Sequence, residues 1–381
     1  MTSEERHEQR YQRRKSKREE KHKRLYGRFD DFSRIYDMNS LYDAYKQSRK
    51  GIQWKMSTQK YTFNLLKNLC NTRDKLIMGE DVRKGFINFD LVERGKLRHI
   101  SSVHFSERVV QRSLCDNALV PMLSKSLIYD NGASMKGKGI NFSLRRTEAF
   151  LHKYYRLYGN DGYIVSVDFS SYFENIQHKP LFELVEEQFT DKKLIRLIKD
   201  FIKAFGDKGL GIGSQVSQVL AISFMNKIDH CIKEKLRVKF YNRYMDDSLF
   251  IVRTKAEAHK ILETVRKLYE KFGIIVNEKK TRIVKLSHGF TFLKTQFYLT
   301  KTGKVVKRIC RKSVTTMRRK LKKFKKFVDT GVMTFEQVRN SFNSWIGYAS
   351  HKHTYHTRQN MIKLFNKLFI KDWHPAQYQP V

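Results

Sequence analysis

Apolar residues recur along this chain with two periods, and the alternation between them outlines its elements. From about Tyr26 to Leu69 the spacing is helical, with Tyr36, Leu41, Tyr42 and Ala44 followed by Phe63, Leu65, Leu66 and Leu69. Phe86 to Ile100 instead predicts short strands around a turn at Glu93-Arg94-Gly95-Lys96. The helical period returns from Ser106 to Leu127, and a glycine-rich connector covers Asp130 to Gly139. Tyr163 to Val167 is a short apolar strand that ends in Asp168. Pro180 suits a first helical turn, and Leu181, Leu184 and Val185, then Leu194, Ile195, Leu197 and Ile198, supply an apolar face. After a flexible Gly209–Ser214 segment, Val216 to Leu236 predicts one buried helix. Phe240 to Val252 predicts a hairpin with Met245-Asp246-Asp247 near its tip. Ala256 to Phe272 follows as a helix and Ile274-Ile275-Val276 as a strand. Beyond residue 300, Met317, Leu321, Phe324, Phe327 and Val328 form an apolar stripe on a helix otherwise covered in Lys and Arg.

The first 24 residues break this pattern, being almost devoid of apolar side chains. They predict a solvated, partly helical arm with opposite charges at i,i+4 spacing, or a surface for phosphates; the two uses are compatible. No internal repeat is present, and none of the four prolines marks a linker.

Composition adds a partner. The 381 residues carry 77 Lys+Arg against 38 Asp+Glu, a formal net charge of +39. A compact fold with that excess repels itself, so a polyanion is expected, and nucleic acid fits best. The bland alternative is a merely basic surface. The 40% hydrophobic content and the 27 Phe and 19 Tyr exclude a disordered basic tail protein and suit a folded core. Cys70, Cys115, Cys231 and Cys310 form no CxxC pair, so neither a zinc site nor a disulfide scaffold is expected. With no long apolar run and no apolar signal core, the expectation is a cytoplasmic protein without a membrane partner.

The candidate chemistry lies at strand ends. Asp168 closes Val165-Ser166-Val167, and Asp246-Asp247 follow Tyr244-Met245. Adjacent carboxylates repel, and a divalent cation removes that cost. Magnesium prefers oxygen ligands and shares its shell with water and phosphates. Alone, Asp-Asp reads as an ordinary turn. The order of the other segments argues against that.

Tyr244-Met245-Asp246-Asp247 resembles the YxDD signature of reverse transcriptases, and Val167 to Ile176 resembles their first palm motif, an Asp followed by an aromatic pair. Gly211-Ile212-Gly213-Ser214-Gln215-Val216-Ser217-Gln218 is similar to the second palm motif, Asn277 to Thr281 to the next segment, and Phe290 to Lys294 to the primer grip. Upstream, Lys96 to Ile100 and Ser106 to Gln111 resemble the fingers motifs. The resemblance covers roughly residues 85 to 300 in the family's order.

It implies an α+β right-handed polymerase: a basic N-terminal arm over 1–25, fingers and an antiparallel-sheet palm over 26–300, and a basic helical thumb over 301–381. It implies RNA-directed DNA synthesis from dNTPs on an RNA template with a DNA or RNA primer. Two Mg2+ ions, with Mn2+ as the alternative, would be held by Asp168, Phe169, Asp246 and Asp247. Lys280 would protonate the leaving pyrophosphate. Arg98, with Lys96 as a second candidate, would hold the triphosphate. Phe169, Phe173, Gly213, Ser217 and Gln218 would line the nucleotide and template pocket, Phe173 excluding a 2′-hydroxyl. Tyr172 takes that place if the register is one off. For Lys280 a plain surface role stays open. So does an RNA-templated RNA polymerase, against which Phe173 argues.

The second palm motif departs from the retroviral and intron form, in which Gln-Gly precedes and Ser-Pro follows. Its Ile212-Gly213 and Ser217-Gln218 resemble bacterial reverse transcriptases of diversity-generating retroelements and some phage-defence enzymes. The first group implies a cognate noncoding RNA and a basic accessory protein, the second synthesis without a conventional template. A non-catalytic RNA-binding module on a decayed polymerase fold is the alternative of another class. His351, His353 and His356 read as a polar turn rather than a metal site, since no Cys or carboxylate joins them at metal spacing.

Overall fold

Thr2 and Glu5 start the fold with a reciprocal cap. The Thr2 hydroxyl accepts from the Glu5 amide at 3.2 Å, and the Glu5 carboxylate accepts from the Thr2 amide at 2.7 Å. In the computed structural model one helix then runs Ser3–Phe29. The structure describes residues 2–93 and 96–370, apart from the side chains of His22, Glu93 and Lys96. The chain forms two compact units. The first comprises residues up to Ser143, Val165–Ile251 and Ala256–Arg282; the second comprises Leu144–Ile164, Val252–Lys255 and the chain from Ile283 on.

In the first unit, Leu41, Ala44, Tyr45, Tyr61, Leu69, Phe105 and Val109 pack into one apolar cluster. Strands β1 (Phe86–Glu93) and β2 (Lys96–Val103) pair antiparallel, with Leu91 opposite Arg98. The expected helix over 106–127 is interrupted. Phe105–Leu114 is α-helical, Cys115–Leu119 is a π-turn, and Val120–Leu123 resumes the helix. Pro121 lacks an N–H and crowds the preceding turn, and the wider π-turn absorbs this.

Strand β3 (Tyr163–Val167) and the hairpin of β4 (Phe240–Tyr244) and β5 (Asp247–Val252) match the sequence pattern. With β6 (Arg282–Lys285) they form a four-stranded sheet in the order β4-β5-β3-β6. The expected single helix over 216–236 is three pieces: Gln215–Phe224, Asn226–His230 and a π-turn over Cys231–Lys235. The Ser223 hydroxyl donates back to the Val219 carbonyl at 2.9 Å, a bond that bends helices near this break. The expected strand at 274–276 reduces to one bridge, Val276 to Phe169, with the Ile275 side chain facing solvent.

The second unit contains a three-stranded antiparallel sheet, β7 (Phe290–Phe292), β8 (Thr295–Leu299) and β9 (Val305–Ile309), in that order. Helices Arg311–Asp329, Phe335–Ser350 and Tyr355–Phe369 follow. Met317, Leu321, Val338, Phe342, Trp345, Met361 and Phe365 fill their core, with the Phe342 and Phe365 rings stacked at 4.5 Å. His353 is a structural residue: its Nδ1 accepts from the Lys307 amide at 3.0 Å. No described helix is long and apolar enough to cross a membrane. The architecture is an α+β polymerase fold.

Candidate active site

The site grows from the ends of β3 and the β4–β5 hairpin. Ile164, Val165 and Val167 anchor β3 in the core, and the next residue, Asp168, keeps 19% of its side chain exposed. Tyr244 pairs with Asp247, leaving Met245 and Asp246 as a two-residue turn. Met245 has φ +56°. Positive φ suits the mirror-image turns that match strand twist, but on a side chain other than glycine it costs about 1–3 kcal/mol. Something must hold the turn there.

A third segment closes the group. The Asn277 amide donates to the Asp168 carbonyl at 2.8 Å and the Ser170 amide to the Ile275 carbonyl at 2.9 Å. The Lys280 and Thr281 amides turn back onto the Asn277 carbonyl at 3.1 and 2.8 Å. This places the Lys280 Nζ 2.9 Å from the Asp168 Oδ2. That hydrogen bond raises the Lys280 pKa, partial burial opposes it, and the charges of Asp168, Asp247 and Asp246 raise it further. One ammonium therefore feels all three carboxylates.

Among the described residues no three His, Cys, Asp or Glu side chains are grouped closely enough to hold a metal ion alone. Magnesium rarely needs such a cage, since one or two carboxylates suffice when water and substrate phosphates complete its shell. The all-oxygen donors here, and the cation already drawn to Asp168, suit a hard divalent ion.

The aromatic pair divides its work. Phe169 is buried, its ring 4.8 Å from that of Tyr269, so only its backbone is available to a ligand. Tyr172 is also buried and donates to the Ala221 carbonyl at 2.6 Å. Phe173 is half-buried and keeps an open face. In the second palm motif, Gly213 (φ +128°) is exposed and abuts β2, where a Cβ would meet the Ser101 carbonyl at 2.7 Å. Ser214 caps the helix Gln215–Phe224, its hydroxyl accepting from the Ser217 amide at 3.2 Å and bonding the Gln111 Oε1 at 2.9 Å. Ser217, expected at the pocket surface, is instead 1% exposed, and its hydroxyl has no hydrogen-bond partner among the described residues. The helical period turns Ser217 inward and Gln218 outward to solvent. Arg98 is half-buried on β2. Lys96 begins β2, and its side chain lies outside the described residues.

Sequence reading missed the support beneath the turn. Among the described residues Arg243 is the largest fully buried side chain. Its guanidinium grips Asp229, with Nη2 at 2.6 Å and Nε at 2.9 Å, and its Nη1 donates to the Met245 carbonyl at 3.0 Å. Burial lowers the Arg243 pKa, but the Asp229 charge and hydrogen bonds more than restore it, so the guanidinium stays ionised. The available signal was a charge inside an otherwise buried strand.

Protein YkfC of Escherichia coli (strain K12) is 23% identical over 241 residues, 52% of this chain and 62% of that protein. Telomerase from Candida albicans, solved with a TWJ fragment of telomeric RNA, has 12% identity and a TM-score of 0.46 over 77% of this chain and 56% of that chain. Apo telomerase from Candida tropicalis has 14% identity and a TM-score of 0.45 over 80% of this chain and 64% of that one. The chain spans less than two thirds of each of these proteins. The family model for reverse transcriptase (RNA-dependent DNA polymerase) matches residues 50–297, more than half of the chain and every segment of the site. With the carboxylates, the hairpin and the aromatic pair all inside that span, the chain belongs to the reverse transcriptase family.

Proposed function

We propose that this protein is an RNA-directed DNA polymerase that extends a DNA or RNA primer on an RNA template with dNTPs. The observation that carries the reading is the Lys280 ammonium, which lies on Asp168 and within the field of Asp246 and Asp247. Asp168 and Asp246, with Asp247 beside them and the Phe169 carbonyl near, would hold two magnesium ions. Magnesium, when bound, supplies Lewis-acid stabilisation of phosphoryl oxygens and acidifies a primer 3′-hydroxyl.

The chain's own groups do the rest. An arriving triphosphate offers Lys280 a second anionic acceptor, and its ammonium hands a proton to the departing pyrophosphate. The Arg98 guanidinium donates paired hydrogen bonds to the triphosphate, with Lys96 as a second cation. The open face of Phe173 packs under the sugar and leaves no room for a 2′-hydroxyl, while Tyr172 is committed to Ala221. Gly213 lets backbone approach the nucleotide, and Gln218 faces the template. A non-catalytic RNA-binding module gives no use for three mutually repelling carboxylates.

Within the family we assign the protein to a diversity-generating retroelement, working with a cognate noncoding RNA and a basic accessory protein. The support is the form Ile212-Gly213 with Ser217-Gln218. A phage-defence enzyme making DNA without a conventional template shares that form and is the second reading. The test is incorporation of labelled dNTPs on a primed RNA with magnesium, wild type against Asp246→Ala/Asp247→Ala. Templated product lost in the variant supports the reading, and product without template favours defence. No product from wild type, even with candidate partner RNAs, sinks it.

A further inference from the structure

The acidic turn carries a strained residue, Met245, with φ +56°. Beneath it lies a charge cluster that nucleotide chemistry does not require. Arg243 and Asp229 are both fully buried, and such a pair is poor at adding stability compared with apolar residues of the same volume. Its geometry serves a different end. The guanidinium reaches three targets: Nε and Nη2 donate to the Asp229 carboxylate, Nη2 also to the Ile222 carbonyl at 3.0 Å, and Nη1 to the Met245 carbonyl at 3.0 Å. Strand alternation puts Tyr241 on the same face, and its hydroxyl donates to the Asp229 Oδ1 at 2.7 Å. The Arg243 backbone is fixed as well, its amide on the Asp130 carbonyl at 3.2 Å and its carbonyl accepting from the Gly132 amide at 3.0 Å. The fork is thus immobile, and one tine ends on the residue before Asp246.

We propose that Arg243, aimed by Asp229 and Tyr241, is a positioning residue that holds the Met245 peptide in its positive-φ turn and so fixes the Asp246 and Asp247 carboxylates. This rests on the polymerase reading above. A lysine cannot reproduce it, because a single ammonium lacks the planar fork that reaches a carboxylate and a carbonyl together.

The test separates positioning from plain stability by changing the residue that is strained. Single-turnover dNTP incorporation, dNTP KM, thermal melting and primer–template affinity are measured for wild type, Arg243→Lys, Met245→Gly and the double variant. Tyr241→Phe is run in both backgrounds as the milder change in case Arg243→Lys does not fold. Arg243→Lys should lower kcat about 100-fold with little change in KM, since about 1 Å of misplacement costs that much. Its primer–template affinity should stay near wild type. Glycine takes positive φ freely, so in the Met245→Gly background the penalty of Arg243→Lys, and of Tyr241→Phe, should shrink about tenfold. Equal penalties in the two backgrounds, or loss of kcat that merely follows melting temperature, overturns the proposal. Wild-type protein without polymerase activity overturns the polymerase reading instead.

Discussion

Gly213→Ala is the substitution whose cost the structure lets us work out most directly. Two terms add. At φ +128° an alanine is strained whatever the space around it, at roughly 1–2 kcal/mol. Its Cβ would also sit 2.7 Å from the Ser101 carbonyl oxygen. That oxygen cannot swing away cheaply, because the Ser101 amide donates to the Ile212 carbonyl at 3.0 Å and ties the two backbones together. Relief must come from moving β2 off the loop, which adds about 1 kcal/mol and shifts Arg98 with the strand. The sum, about 2–3 kcal/mol, corresponds to roughly 4–12 °C in melting temperature for a unit of this size. Gly137 is the control. It also has positive φ, +76°, but its Cβ would meet nothing within 4 Å, so Gly137→Ala carries strain alone. Scanning calorimetry of both variants isolates the contact term, and steady-state kinetics should show a raised dNTP KM for Gly213→Ala only. Equal melting shifts for the two, with dNTP KM unchanged, would refute the reasoning.

Phe173→Ala should admit ribonucleotides, raising their use relative to dNTPs about 10–100-fold, whereas Tyr172→Ala, emptying a buried site, should lower the melting temperature. Unchanged sugar selectivity in Phe173→Ala would move the gate elsewhere. Lys280→Met should reduce kcat about 100-fold and leave primer–template affinity unchanged. Full activity in that variant returns Lys280 to the role of a surface cation. Burial, with Lys307 beside it, lowers the Lys352 pKa to about 8 from the usual 10.5. The unfolded chain then holds more protons between those values, so stability rises with pH across that window and is flat, for this group, below it. Lys352→Met should abolish the rise, and a melting-temperature slope between pH 8 and 10 equal to that of wild type would count against the assignment.

Legibility in the sequence followed the physics of each element. Tyr163–Val167 and Phe240–Val252 were readable because buried strands of β-branched and aromatic residues end abruptly in acids. The structure narrows the expected tip, Met245-Asp246-Asp247, to the two residues Met245 and Asp246, with Asp247 already paired to Tyr244. Breaks inside helices were not, because they arise from local competition: Pro121 against the preceding carbonyl, and the Ser223 hydroxyl against the backbone ladder. The helix Ile140–Tyr158 is masked in the sequence by its Arg and Lys residues. Strand β9 was hidden likewise, since Val305 and Ile309 are buried but Lys307 and Arg308 stand between them. Ser217 and Gln218 read as a pair in the motif, yet the 3.6-residue period sends them to opposite environments.

Arg243 marks where sequence reading stops for a deeper reason. In a chain with 77 Lys+Arg, one more arginine carries little signal beyond its place in an apolar strand, and burial singles it out. A charge is withdrawn from water only where its partners are fixed, and here the partners come from Asp229, Ile222 and Met245. Those positions are joined by packing, not by spacing. The visible residues of the site are those that meet water, metal and substrate, so their chemistry appears in their type. The residues that keep them in place act through geometry. They become legible when the strained φ of Met245 and the buried fork beneath it are seen as two halves of one constraint.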